Sequence, residues 1–236
     1  MNKFKENSKI NYNKERAWFI YLVLSALFIC ALITCNLIAN KFVTVNLGFK
    51  TFQVSAGILP YPLTFLITDI LSEIYGKRKT RAVVLAGFFA SVLALLFLKL
   101  GHAFPAIENS PVSDESYNNV FNNSARIIGA SMLAYLVAQL IDVNVFHWWK
   151  KITRGKHLWI RNNFSTILSQ LADTVLVTTV IFIGVQSAGF ITSLVLDGWL
   201  FKVIFAAADT ILIYPIVGWM KHSFGLKENE ELDFVA

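Results

Sequence analysis

The sequence predicts an all-α integral membrane protein of six transmembrane helices, with a short hairpin or re-entrant segment between helices one and two. Composition is the first ground. Of 236 residues 56% are hydrophobic and 15% charged, and the mean hydropathy of +0.56 lies well above that of soluble domains. Length is the second. Apolar stretches of about 20 residues, enough to cross a hydrocarbon core as helix, fall at 18–39, 57–75, 82–101, 124–145, 163–186 and 198–219. The third is that dense clusters of Lys and Arg fall before the first span and in the second and fourth connections, alternating as cytoplasmic loops do. The chain then divides into a tail at 1–17, a transmembrane unit at 18–220 and a second tail at 221–236, with no room for a soluble domain.

The first span follows a charged tail but is too long for a signal-peptide core, and no small-residue cleavage site ends it, so it is expected to remain as a helix. Cys30 and Cys35 are five apart on it and point to different faces, which argues against a disulfide. It closes in TCNLIANK, where Asn36 and Asn40 are four apart and share one side. Lys41 beside them either snorkels to the surface or joins a polar pathway. Residues 44–57, TVNLGFKTFQVSAG, alternate and are rich in β-formers and glycine, which suits a hairpin or re-entrant piece. Pro60 and Pro62 flank Tyr61 at the head of the second span. They admit a broken first turn, as at midplane transporter sites, or a plain proline-initiated helix.

The second span carries Asp69 and Glu73, four apart and so on one face. A charge near the bilayer centre costs roughly 2.5–3.5 kcal/mol on insertion scales, so such residues usually face a protein-lined cavity and have a task. The fourth span bears Gln139 and Asp142, and the fifth opens RNNFSTILSQLADT. That run sets Asn162, Thr166, Ser169 or Gln170, and Asp173 along one stripe; Thr166, Ser169 and Thr174 equally suit helix packing. Asp209 lies in the sixth span. No long internal repeat is evident, although Q-x-x-D occurs in both the fourth and fifth spans.

Orientation follows from the cations. Lys3, Lys5, Lys9, Lys14 and Arg16 precede the first span, Lys77, Arg78, Lys79 and Arg81 follow the second, and Lys150, Lys151, Arg154, Lys156 and Arg161 follow the fourth. The intervening loop holds Glu108, Asp114 and Glu115 and no Lys or Arg from His102 to Asn119. Both termini are therefore expected in the cytoplasm. The net charge of +6 needs no direct nucleic-acid partner, and Trp148, Trp149 and Trp159 fit an interfacial aromatic belt.

Carboxylates with primary amides, flanked by Tyr61, Phe65 and Tyr214, suit a small planar ligand rich in N–H donors. Ion coordination or proton relay is the competing reading. No G-x-S-x-G, H-E-x-x-H, Walker A or C-x-x-C sequence occurs, and the four histidines lack metal-ligand spacing. No enzyme activity, catalytic residue, metal or cofactor is expected. The alternative from the enzyme class is an acid dyad of Asp173 and Asp209.

Two blocks carry a resemblance: SAG-x-x-x-YP-x-TF-x-x-TD-x-x-x-E-x-YG from Ser55 to Gly76 and LW-x-R-x-x-x-ST-x-x-SQ-x-x-DT from Leu158 to Thr174. With the Q-x-x-D pair of the fourth span they resemble the queuosine precursor transporter family, also called the vitamin uptake transporter family, over about Asn36 to Asp209. The resemblance implies a bacterial inner-membrane importer of 7-cyano-7-deazaguanine, 7-aminomethyl-7-deazaguanine or queuine, salvaged into tRNA. Its substrate-binding residues are then expected to be Asp69 and Asp173 on the base edge, Gln170, Asn36 and Asn40 as amide partners, and Tyr61 and Phe65 as stacking rings. Glu73, Gln139, Asp142, Arg161 and Asp209 are expected to gate or pair helices. The expected partners are the 7-deazapurine and the lipid bilayer; a homo-oligomer is compatible with the sequence, and no ATPase partner is expected. The alternative within transport is a substrate-capture subunit of an energy-coupling-factor vitamin importer.

Overall fold

The computed structural model describes residues 2–39, 41–48, 50–121, 125–184, 186–227 and 230–232. Helix α1 runs from Asn2 to Leu37. Neither proline nor glycine interrupts it, so the helix begun in the charged segment continues through the apolar one. Strands β1 (Phe42–Asn46) and β2 (Thr51–Ser55) then form an antiparallel hairpin with Phe42 opposite Ser55 and Asn46 opposite Thr51. Of the two forms the sequence admitted for this segment, the hairpin is the one present. Its bend starts where the Asn46 side chain accepts the Gly48 N–H at 2.8 Å.

A single 3-10 turn, Ala56–Ile58, connects the hairpin to the next helix and explains the S-A-G triplet. Ser55 Oγ accepts the Gly57 N–H at 3.2 Å and donates to the Ala39 carbonyl at 2.6 Å. Gly57 lies so close to the end of α1 that a Cβ there would stand 2.3 Å from the Cys35 carbonyl oxygen.

Helix α2 (Tyr61–Ile74) begins on Pro60 as its cap, with Pro62 in the first turn. It is proline-initiated and regular from the start, because both prolines fall where helix N–H groups have no partner to lose. Its 14 residues span only about 21 Å, and every residue from Thr64 to Ile74 is buried. α2 is the axial helix of the fold, packed against α1, α3 (Gly76–His102), α5 (Ala125–Ile152) and α7 (Ala188–Phe224). Leu66, Ile67, Ile70 and Leu71 meet Phe28 and Leu32 of α1, Val83 and Val84 of α3, Phe146 of α5 and Val217 of α7 in the main core. Helix α6 (Leu158–Phe182) lies along α5, the most extensive helix pair, and continues against α7.

The short helix α4 (Asp114–Phe121) was not anticipated by apolar periodicity, since no residue of it is buried. Local polar chemistry forms it: Ser113 Oγ accepts the Ser116 N–H at 3.1 Å, and Asp114 and Glu115 occupy its first turn. α7 is also longer than its apolar run, starting ten residues ahead of 198 on a Ser187 cap that accepts the Phe190 N–H.

Outward faces are apolar, with Phe19, Leu27, Phe89, Phe97, Leu100 and Ile211 exposed, as suits a lipid-facing surface. Among the described residues four segments are long and apolar enough to cross a membrane: Lys14–Leu37, Ala56–Ile74, Gly76–His102 and Ala188–Phe224.

Between α2 and α3 the chain reverses at Tyr75 and Gly76, the latter at φ +81°. A side chain at that φ costs roughly 1–2 kcal/mol, and an added Cβ would also press on the Glu231 carboxylate. Gly76→Ala is expected to lower the Tm of purified protein by roughly 2–8 °C; an unchanged Tm would exclude this account of the Y-G pair.

Candidate functional site

Polar side chains inside the bundle fall into three tiers along α2. The lowest sits at the basic end, where α2 and α5 finish, α6 starts and α7 ends. Here the fully buried Glu73 carboxylate meets three cations. Arg161 Nη2 of α6 lies 2.7 Å from Oε1, Lys221 Nζ of α7 donates to the same oxygen, and Lys150 Nζ of α5 stands 3.5 Å from Oε2. Lys150 also donates to the Glu73 carbonyl and to Glu231 Oε1, both at 3.0 Å.

Arg161 is 1% exposed. Its Nη1 reaches the Gly155 carbonyl at 2.9 Å and that of Lys156 at 3.0 Å, and its guanidinium lies over the Phe146 ring. The turn delivering those carbonyls is strained, with φ of +50° at Arg154 and +55° at His157. The chain returns to the same place near its end: the Leu232 N–H donates to the Ile74 carbonyl at 2.7 Å, and Lys79 Nζ to the Leu232 carbonyl at 2.6 Å.

One turn up α2, Asp69 is 1% exposed beside Asp142 of α5. Asp142 Oδ1 faces the hydroxyls of Ser169 at 3.3 Å and Thr166 at 3.5 Å on α6. Gln139 and Gln170 are buried on the same two helices. Among the described residues the Asp69 oxygens face the Asp142 carboxyl and meet no N–H or hydroxyl donor, and neither amide atom of Gln139 nor Oε1 of Gln170 has a hydrogen-bond partner. Buried polar atoms are almost always paired, so such a cluster requires a reason.

The third tier lies nearest the hairpin. Tyr61 donates its hydroxyl to Asp173 Oδ1 at 3.0 Å, and Lys202 Nζ of α7 pairs with Oδ2. A cavity of about 20 Å³ adjoins it, lined by Tyr61, Phe65, Thr166, Gln170, Lys202 and Asp209 among others. The Tyr61 and Phe65 rings stand 5.5 Å apart at 60°.

The structure thus brings together Asp69, Gln139, Asp142, Gln170, Asp173, Tyr61, Phe65 and Asp209, and sets Glu73 and Arg161 below them. Asn36 stands apart: its amide donates to the Leu32 carbonyl at 3.2 Å and it lines a separate pocket with Ser91 and Leu95 of α3. Asn40 lies outside the described residues. Tyr214 does not flank the cavity. Five residues beyond Asp209 it is turned roughly 140° around α7, where it is 45% exposed and accepts the Trp159 N–H. Lys202 escaped the sequence reading, although a lone cation in the apolar run from Gly198 to Phe205 is the same kind of signal as the buried acids. Among the described residues no group of three metal-binding side chains occurs.

Comparison with known proteins places this arrangement. The family described as "Putative vitamin uptake transporter" matches residues 55–216, a range that contains all three tiers except Lys221, Glu231 and Leu232 of the lowest. A Bacillus subtilis protein named "Probable queuosine precursor transporter" is 32% identical over 165 residues, 70% of this chain and 72% of that protein. The Escherichia coli "Queuosine precursor transporter" is 25% identical over 58% of each chain. A Haemophilus influenzae protein named "Probable queuosine precursor transporter" is 26% identical over 56% of this chain and 53% of its own. No solved structure matches. The chain belongs to the vitamin uptake transporter family and is a multi-pass transmembrane transporter rather than an enzyme.

Proposed function

We propose that this protein imports 7-deazaguanine precursors of queuosine across the bacterial inner membrane for salvage into tRNA. The observation that carries the reading is that Asp69, Gln139 and Gln170 are buried inside the bundle with polar atoms that no N–H or hydroxyl of the described residues satisfies, and that Gln170 lines the same cavity as the Tyr61 and Phe65 rings. A guanine-type edge offers two adjacent N–H donors to one carboxylate, and its carbonyl accepts from an amide. Asp69 is assigned to that edge, with Gln139 and Gln170 as amide partners. Aromatic stacking contributes roughly 1–3 kcal/mol per base. The names of the relatives point to the same substrates.

Six helices are assigned to the bilayer: α1, α2, α3, α5, α6 and α7. α5 and α6, of 28 and 25 residues, reach about 42 and 37 Å, more than the roughly 30 Å hydrocarbon core. The basic end, with both chain ends, is assigned to the cytoplasm. The cavity of about 20 Å³ holds roughly one water molecule, so a purine-sized ligand is admitted only when α2, α6 and α7 part. Glu73 and its three cations are assigned as the cytoplasmic closure of the pathway.

The test is the queuosine content of tRNA in bacteria that lack both queuosine synthesis and their own importer, express this chain, and receive single precursors at low nanomolar concentration. Queuosine is expected to reappear with at least one 7-deazaguanine. Its absence with every precursor, at confirmed membrane levels of protein, would overturn the assignment.

A further inference from the structure

The third tier contains an ion pair for which importing a purine gives no immediate use. Asp173 lies behind two cavity-lining side chains, Tyr61 and Lys202, and they occupy both its oxygens: Tyr61 takes one and Lys202 the other. The side chains of Lys202 and Asp173 are only 12% and 9% exposed. The ammonium also lies 4.9 Å from the centre of the Tyr61 ring, a cation–π position.

Neighbouring contacts fix the stretch of α7 that bears Lys202. Phe201 packs edge-on against Phe52 of the hairpin at 5.1 Å, and Lys50 pairs with Asp197 at 2.6 Å. Lys202 is therefore a tethered cation held where a positively charged ligand group would otherwise sit. Lys202 and Tyr61 line the cavity, and so does Asp209, seven residues beyond Lys202 on α7, two helical turns away on the same face.

We propose that Lys202 sets the substrate preference of this transporter, favouring a 7-deazaguanine with a neutral substituent at C7 over one with a cationic substituent. The inference rests on the import reading and names the substrate class of the same site. A cationic aminomethyl group can reach Asp173 only by displacing the lysine ammonium, and while the lysine stays it is repelled by a like charge. A neutral cyano group leaves the ion pair intact, and its nitrogen can accept one of the two ammonium N–H groups that Asp173 does not use. Without the lysine, Asp173 becomes a buried carboxylate lacking its counter-ion, and the preference reverses.

The experiment compares initial uptake of labelled 7-cyano- and 7-aminomethyl-7-deazaguanine, each below saturation, by wild type, Lys202→Met and Lys202→Arg. Wild type is expected to favour the cyano compound. Lys202→Met is expected to move the cyano-to-aminomethyl ratio at least about tenfold toward the cation, the size of one charge-assisted hydrogen bond exchanged, and Lys202→Arg to keep the wild-type ratio. Should Lys202→Met fail to reach the membrane, Lys202→Gln carries the same comparison. A ratio unmoved by loss of the charge overturns the role of Lys202 while leaving import intact. Uptake by wild type of neither compound, nor of labelled queuine, refutes the import reading itself.

Discussion

Asp69→Ala protein is expected to fold and insert normally and to lose uptake of 7-deazaguanines by more than about a hundredfold. The carboxylate is assigned two parallel hydrogen bonds to the base edge, and bonds to charged groups contribute about 1.5–3 kcal/mol each, so losing both removes at least two orders of magnitude in affinity. Stability is expected to move the other way. Asp69 is 1% exposed, faces the Asp142 carboxyl, and among the described residues meets no N–H or hydroxyl donor. Removing such a group relieves a desolvated polar site and leaves Asp142 the Ser169 and Thr166 hydroxyls, so Tm should stay level or rise. Asp69→Asn is expected to fail in transport as well, since its amide nitrogen turns a donor toward the donors of the base. Uptake within threefold of wild type in both variants, or a Tm loss above about 5 °C, which on a domain of this size signals at least 1 kcal/mol of structural contribution, would remove Asp69 from the base edge.

How far this site could be read beforehand depended on whether a residue's role is set by its own helix. Asp69, Glu73, Gln139, Asp142, Gln170 and Asp173 were visible because an ionisable or amide group inside an apolar run has few bland explanations. Helical spacing also fixed which of them share a face. Which tier each acid belongs to was invisible, because it depends on the partner helix. Asp69 and Glu73 look equivalent along the sequence, yet one faces an acid and the other three cations.

Asn36 illustrates the same limit: its face of α1 is turned to α3 by the packing of Phe28 and Leu32, which the sequence of α1 alone does not specify. Lys202 carries a local signal, a lone cation in an apolar run, but its partners do not. The hairpin was legible from alternation and from its glycine, but its seat on Phe201, which holds Lys202 over Tyr61, is a contact between segments about 150 residues apart and has no local signature.

Glu73→Ala should be the counterpart of Asp69→Ala, destabilising by roughly 3–5 kcal/mol because it strands buried positive charge. The cations are not equally exposed to that loss. Lys150 keeps Glu231, and Lys221, 17% exposed at the rim, can turn toward water. Arg161 cannot, being 1% exposed and tied by Nη1 to the strained turn before α6. The damage should therefore run through Arg161 and appear as a large fall in Tm or in the amount of protein reaching the membrane.

A double-mutant cycle checks this. Glu73→Met and Arg161→Met should each be severe, whereas the double variant, which removes both charges and fills their space with apolar atoms, should recover most of the lost stability, as buried ion pairs replaced by hydrophobic side chains commonly do. Recovered Tm without recovered uptake would identify the pair as part of the cytoplasmic closure, needed for cycling and not for folding. Additive losses in the cycle would mean that Glu73 and Arg161 stabilise the basic end through separate partners, and the closure would then have to be sought at Lys150 and Glu231.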